Sequence, residues 1–221
     1  MEEFKKKVVS ALALDLHYSD RVHRELEDHF QGQAVLASVL VLFGLLHRTP
    51  QPVPALLFTQ RTETVASHPG QMAFPGGRVE PHETSDPKQA ALRESWEEVG
   101  IPQDQVEVLG RLPSLYTVTG YFIEPWVGFL KLPVDEVPLR LAPEETAAAV
   151  WIPLDQLMKS ASLLTHSSNH SEAQGYKKEW IQAGSLQYPI DVFYYQNHRI
   201  WGATGAMTKN LLDRLSQVGL R

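Results

Sequence analysis

The sequence has no cysteine, which excludes disulfide crosslinks, thiol nucleophiles and cysteine-held metal centres. That absence fits a reducing compartment, and a cytoplasmic location is expected. Basic residues are also scarce: 20 Lys and Arg stand against 26 Asp and Glu, a formal net charge of -6. A nonspecific nucleic-acid surface needs clustered positive charge, so no nucleic-acid partner is expected. Long apolar runs are missing too. The most apolar stretch, Ala34–Leu46, falls short of the ~20 residues that cross a bilayer and is followed at once by His47 and Arg48. It reads as a buried strand, the charged Met1–Ser10 does not read as a secretory signal, and no membrane partner is expected. There is no internal repeat. Only Thr165–Gln174, rich in Ser, His and Asn, reads as weakly structured, and its histidines have no carboxylate at metal-ligand spacing.

What is present is a chain of 221 residues, 43% of them hydrophobic, enough to fill one core. Helical propensity marks Glu2–Leu14, with a Lys5-Lys6-Lys7 cluster read as a solvated helix end, and Tyr18–Phe30. Apolar runs at Ala34–Leu46 and Ala55–Gln60 suggest a hairpin around the Pro-rich turn Thr49–Pro54. Further strands are expected at Gly110–Leu112, Tyr121–Leu130 and Ala147–Ile152, then a short helix at Leu154–Lys159. A late hairpin, Pro189–Tyr195 with Arg199–Trp201, precedes a closing helix at Thr204–Leu215. Strands interleaved with helices in this way imply a mixed sheet covered on both faces.

The most informative stretch is Phe74–Ile101. Asp86 as a cap, Gln89 three residues later and Gly100 as a stop predict a helix over Pro87–Val99. A helical wheel places Leu92, Trp96 and Val99 on one side and Glu94, Glu97 and Glu98 on the other, which should keep the acidic side out of the core. Three carboxylates in one turn repel each other and sit near the negative end of the helix dipole. A hard divalent cation bound through oxygen would neutralise them; a solvated acidic face is the plainer alternative.

The surroundings decide between these. Gly77, Glu83, Arg93, Glu94, Glu97, Glu98, Gly100 and Ile101 together resemble the signature of the Nudix hydrolase superfamily. Two residues more than usual separate Glu83 from Arg93, lengthening the loop before the helix, and Ser95 stands where a bulky aliphatic is common. The resemblance implies an α/β/α sandwich with a mixed β-sheet over about Ala34 to Leu215. A Nudix domain at 34–221 would then carry a helical extension, 1–33, packed on it and available to a homodimer. It also implies Mg2+ or Mn2+ held by Glu94, Glu97 and Glu98 with the Gly76 carbonyl, and an Arg93 that pairs with a glutamate. The base that takes the proton from water would be Glu98, Glu97 or Glu145, in that order.

Upstream, Arg61, Gly70 and Phe74–Gly77 are similar to the extra motif of the coenzyme A pyrophosphatase branch, with Thr62 and Ala66 as departures. Ala66 replaces an arginine, a potential bidentate phosphate partner. The run Val118–Tyr121, Pro125–Gly128 and the late Ile200–Thr204 also look like this branch. The substrate implied is a small nucleoside diphosphate derivative, coenzyme A first. Arg61 is expected to contact phosphate, and His68 and Gln71 to line the entrance. Tyr121, with Tyr116 and Trp126, offers aromatic surface for adenine. Two alternatives stay open: another nucleoside diphosphate substrate such as ADP-ribose, NADH, a nucleoside diphosphate sugar or an oxidised nucleotide, and a catalytically silent binding module.

Overall fold

The computed structural model describes residues 1–18, 21–30, 32–47, 51–64, 69–162, 175–183 and 186–220. In chain order these form α1 (Glu2–Leu12), α2 (Arg21–Phe30), β1 (Val35–Leu46), β2 (Val53–Arg61), β3 (Met72–Ala73), β4 (Gly76–Arg78), α3 (Lys88–Val99) and β5 (Val106–Arg111). There follow β6 (Leu115–Tyr116), β7 (Tyr121–Leu130), β8 (Thr146–Pro153), α4 (Leu154–Ser162), β9 (Gly175–Ala183), β10 (Leu186–Tyr195), β11 (His198–Ile200) and α5 (Gly202–Gln217).

β1 is apolar at nearly every position because helices cover both of its faces. On one face Val39, Val41 and Phe43 meet Val8 of α1, Leu157 of α4 and Met207, Leu211 and Leu215 of α5. On the other, Leu40 and Leu42 meet Ala91, Leu92 and Val99 of α3. The result is the expected α/β/α sandwich. Its sheet runs β3-β2-β1-β7-β5, with β4 also on β1, β6 on β7 and β8 on β2. The β1–β7 pair is parallel and the other pairs are antiparallel, so the sheet is mixed.

A second, antiparallel sheet, β11-β10-β9, was only partly foreseen. The late hairpin forms, but β9 joins it along Leu186↔Ala183 to Tyr194↔Gly175. Its sequence, GYKKEWIQA, gives almost no apolar alternation to read, and ladder pairing with β10 makes it a strand. Phe193 and Tyr176 enter the main core, while Tyr188, Ile190 and Val192 form a small cluster with Leu26 of α2 and Trp201.

The N-terminal residues are tied down by polar contacts as well as packing. Lys5, expected in solvent, turns inward to Glu107 of β5 at 2.5 Å. Arg214 of α5 is fully buried. Its Nη1 donates to the carbonyls of Ala11, Leu12 and Leu14 at 3.1, 3.2 and 2.7 Å, and its Nη2 to that of Leu16. One guanidinium thereby ties together the last carbonyls of α1, Ala11 and Leu12, and those of Leu14 and Leu16 just after it.

Candidate active site

The site is built around α3. Its start differs from the capping box the sequence suggests. Pro87 is the residue before the helix and makes no side-chain cap, while the Asp86 carboxylate accepts from the Gln89 side chain at 3.1 Å. The stop is as expected. Gly100 sits at φ 75, where a side chain is disfavoured, and its N–H reaches the Trp96 carbonyl at 2.9 Å. The Arg140 and Ala142 amides cover the Val99 and Glu98 carbonyls at 2.9 and 3.0 Å.

The sides of α3 need correction. Trp96 is 47% exposed and Glu98 only 4%. The stripe facing the sheet is Ala91, Leu92, Ser95, Glu98 and Val99, which recur at helical spacing. The wheel treated Trp96 as core because it is apolar, but the small buried Ser95 lies between Leu92 and Val99 and brings Glu98 inward. Glu94 is half-buried and Glu97 exposed. The acidic residues thus lie at three different depths.

Arg93 organises them. Its Nε and Nη2 grip Glu83 at 2.9 and 3.1 Å, Nη1 reaches Glu94 and Glu97 at 2.9 Å each, and Nη2 also donates to the Arg78 carbonyl at 3.2 Å. Glu83 is buried and accepts a further bond from the Glu80 N–H at 2.9 Å. Hydrogen bonding from Arg93 holds the Glu83 carboxyl below its usual range against the cost of burial. The two extra residues before α3 leave this geometry intact: a short 3-10 turn over Pro81–Glu83 returns Glu83 to Arg93.

β4 supplies the wall opposite. A Cβ on Gly77 would lie 2.4 Å from the Glu94 carboxyl, and one on Gly76 2.4 Å from the Ser38 carbonyl. The glycine pair lets Glu94 lie against bare backbone. β2 and β8 supply the third side, since the register Arg61↔Thr146 sets Glu145 beside Arg61, and the Thr62 N–H donates to the Glu145 carbonyl at 3.0 Å.

These elements enclose a cleft of about 760 Å³ lined by Arg61, Gln71, Gly76, Glu94, Glu98 and Glu145, with Tyr116 and Tyr121 further along. Glu97 and Trp126 do not line it, and neither does Arg93. His68 and Ala66 lie outside the described residues. Sequence reasoning missed Arg78, directly after the glycine pair, and named Trp201 only as part of the late hairpin and the Ile200–Thr204 run, without a place in the site; both line the cleft. The only local signal for Arg78 was its place next to Gly77.

Burial pushes the Glu98 carboxyl up to about 8, aided by repulsion from Glu94 and opposed by Arg61 and the Gly76 amide. Its Oε2 is buried with no hydrogen-bond partner. Glu94 is also raised, first by burial, with Arg93 opposing. Among the described residues no group of three His, Asp or Glu is arranged to hold a metal ion. Glu97 is the reason the expected trio does not assemble, because it turns to Arg93 on the exposed face. Glu94 and Glu98 nevertheless fit a divalent cation: two repelling carboxylates share one cleft, and one of them has an orphaned buried oxygen.

The profile of the NUDIX domain family matches residues 39–173. The protein named "Uncharacterized Nudix hydrolase NudL" of Photorhabdus laumondii is 32% identical over 192 residues, which is 87% of this chain and 89% of that one. Its namesake from Escherichia coli O6:H1 is 35% identical over 191 residues, covering 86% and 85%. Among solved structures, the Nudix hydrolase RenU of M. smegmatis overlays with a TM-score of 0.46 and 23% identity, across 57% of this chain and 74% of that one. A family profile over more than half the sequence and relatives aligned along most of it agree with the glutamate-bearing helix and glycine-walled cleft, so the chain belongs to the Nudix family and is a pyrophosphohydrolase of that family.

Proposed function

We propose that this chain hydrolyses the diphosphate bond of coenzyme A or its derivatives, releasing 3',5'-ADP and 4'-phosphopantetheine, with Mg2+ or Mn2+ as cofactor. The observation that carries the reading is the buried carboxyl of Glu98, whose Oε2 has no hydrogen-bond partner, set near Glu94 and Arg61 in a cleft walled by Gly76 and Gly77. Glu94 and Glu98, with the Gly76 carbonyl, would hold the cation, which supplies positive charge to the diphosphate oxygens and lowers the pKa of water.

The remaining roles fall to the chain's own groups. Arg61 binds a diphosphate oxygen and offsets its charge. Arg93 positions Glu94 through the bond at 2.9 Å and anchors it to Glu83. Water adds to one phosphorus, the bond from that phosphorus to the bridging oxygen breaks, and the water proton passes to a carboxylate. Since Glu97 is turned away, Glu98 and Glu145 are the carboxylates in the cleft that can take it. Gln71 and Tyr121 line the path of the nucleotide. The coenzyme A preference rests on Arg61, Gly70 and Phe74–Gly77; the alanine at position 66 favours, as a second reading, another nucleoside diphosphate derivative.

The test is a product assay of the purified protein with Mg2+ or Mn2+ against coenzyme A, dephospho-coenzyme A, ADP-ribose, NADH and a nucleoside diphosphate sugar. Release of 3',5'-ADP from coenzyme A, faster than product from the others, is expected. Faster turnover of a different diphosphate would discard the substrate and keep the chemistry. No turnover of any would leave the chain as a binding module.

A further inference from the structure

The cleft wall carries a cation that the hydrolytic chemistry leaves unused. Arg78 ends β4, two residues beyond Gly76, and its side chain is exposed along the cleft. Its Nη2 donates to the Tyr121 hydroxyl at 3.2 Å, and its guanidinium carbon lies 5.8 Å from the centre of that ring. Among the described residues it forms no ion pair: the three carboxylates of the cleft, Glu94, Glu98 and Glu145, do not reach it. The backbone beneath it is fixed, since its carbonyl accepts from Arg93 and its Cα pairs with Ala37 of β1.

A guanidinium so placed has most of its five donors unspent and a rigid base. At about 3.3 Å per strand residue it stands roughly 7 Å along β4 from the glycine that walls the reacting phosphates. That separation is too long for the diphosphate group bound by Arg61 and suits the next substituent of a nucleotide. The Tyr121 ring beside it offers a flat surface for a base or ribose.

We propose that Arg78, held against Tyr121, is a specificity-determining residue that binds a second anion of the substrate, a phosphomonoester separate from the scissile diphosphate. The proposal rests on the hydrolase reading above and deepens it: the cleft selects nucleotides that carry an additional phosphate. It also supplies a cationic partner where Ala66 replaces the arginine of the related motif.

The experiment compares the unmodified chain with Arg78→Ala and Arg78→Lys in two ways. Hydrolysis of coenzyme A is measured against dephospho-coenzyme A, which lacks only the phosphomonoester. Binding of 3',5'-ADP is measured against AMP by calorimetry, which needs no turnover. A charge-assisted, forked contact implies that Arg78→Ala lowers the ratio of kcat/KM for coenzyme A over dephospho-coenzyme A by about 10- to 100-fold, with Arg78→Lys in between. The preference for 3',5'-ADP over AMP should fall in parallel. Equal losses on both members of each pair, or no loss on either, would overturn the proposal. If coenzyme A is not hydrolysed at all, the coenzyme A reading fails by itself, and the calorimetric pair still decides on Arg78. Thermal melts of both variants within a few degrees of the parent exclude unfolding as the cause.

Discussion

Glu98 gives the sharpest test of the site, because its environment favours the protonated form of the metal-free protein. Its carboxyl is pushed up to about 8 from 4.5, chiefly by burial and then by Glu94. Between these two values the unfolded chain has lost the proton and the folded one keeps it. The folded state therefore binds more protons, and this group makes stability fall as pH rises from about 4.5 to about 8. At about 1.4 kcal/mol per pH unit, the ceiling is on the order of 5 kcal/mol. Glu98→Gln is neutral at every pH and mimics the protonated form. In excess chelator, wild type and variant should melt within about 2 °C of each other at pH 5. At pH 8.5 the variant should melt higher by up to about 10 °C, at roughly 2 °C per kcal/mol for a chain of this size. Thermal denaturation followed by circular dichroism across that range reads the difference directly. A gap between the two proteins that stays constant with pH would refute the buried, carboxylate-crowded environment assigned to Glu98. Adding Mg2+ at pH 8.5 should narrow the gap by stabilising only the wild type, since a cation competes with the proton for the same oxygen.

Arg93→Ala should cost about 3 kcal/mol in urea unfolding at pH 7, because buried Glu83 loses its bidentate partner. Glu83 is held below 4.5, so its contribution is complete above that pH and is lost as pH falls through the depressed value; a loss that does not shrink in acid would contradict this pairing. Gly77→Ala should push the Glu94 carboxyl, 2.4 Å from the added Cβ, and lower kcat/KM about 100-fold with the fold retained, measured by turnover beside a melting curve. Unchanged turnover would show that Glu94 need not lie against the strand. Arg214→Ala should cost about 3 kcal/mol and speed hydrogen exchange at residues 1–18, since the carbonyls at and just after the end of α1 lose their shared donor. Exchange as slow as in the parent would place the anchoring of α1 in its apolar contacts.

Much of this protein follows from local pattern. Ala34–Leu46 announces a strand buried on both faces because it never alternates, and Gly100 announces the end of α3 because only glycine sits easily at φ 75. The spacing of Gly77, Glu83, Arg93, Glu94, Glu97 and Glu98 carries the family, since those positions fall within one short strand, the turn after it and one helix, all close in sequence. Other features depended on contacts distant in sequence. The rotation of α3 that buries Glu98 and exposes Trp96 is set by the sheet beneath it, and hydrophobicity alone pointed the other way. Glu97 leaves the cleft because Arg93 is already fixed by Glu83, a choice made between side chains rather than by helical spacing. β9 has polar residues that acquire strand geometry only from β10, and Arg78 becomes a cleft residue only when β4 meets β7 across β1. The sequence determined which groups are available and which fold carries them; tertiary packing decided their depth, and depth fixes protonation and which carboxylates can face a diphosphate.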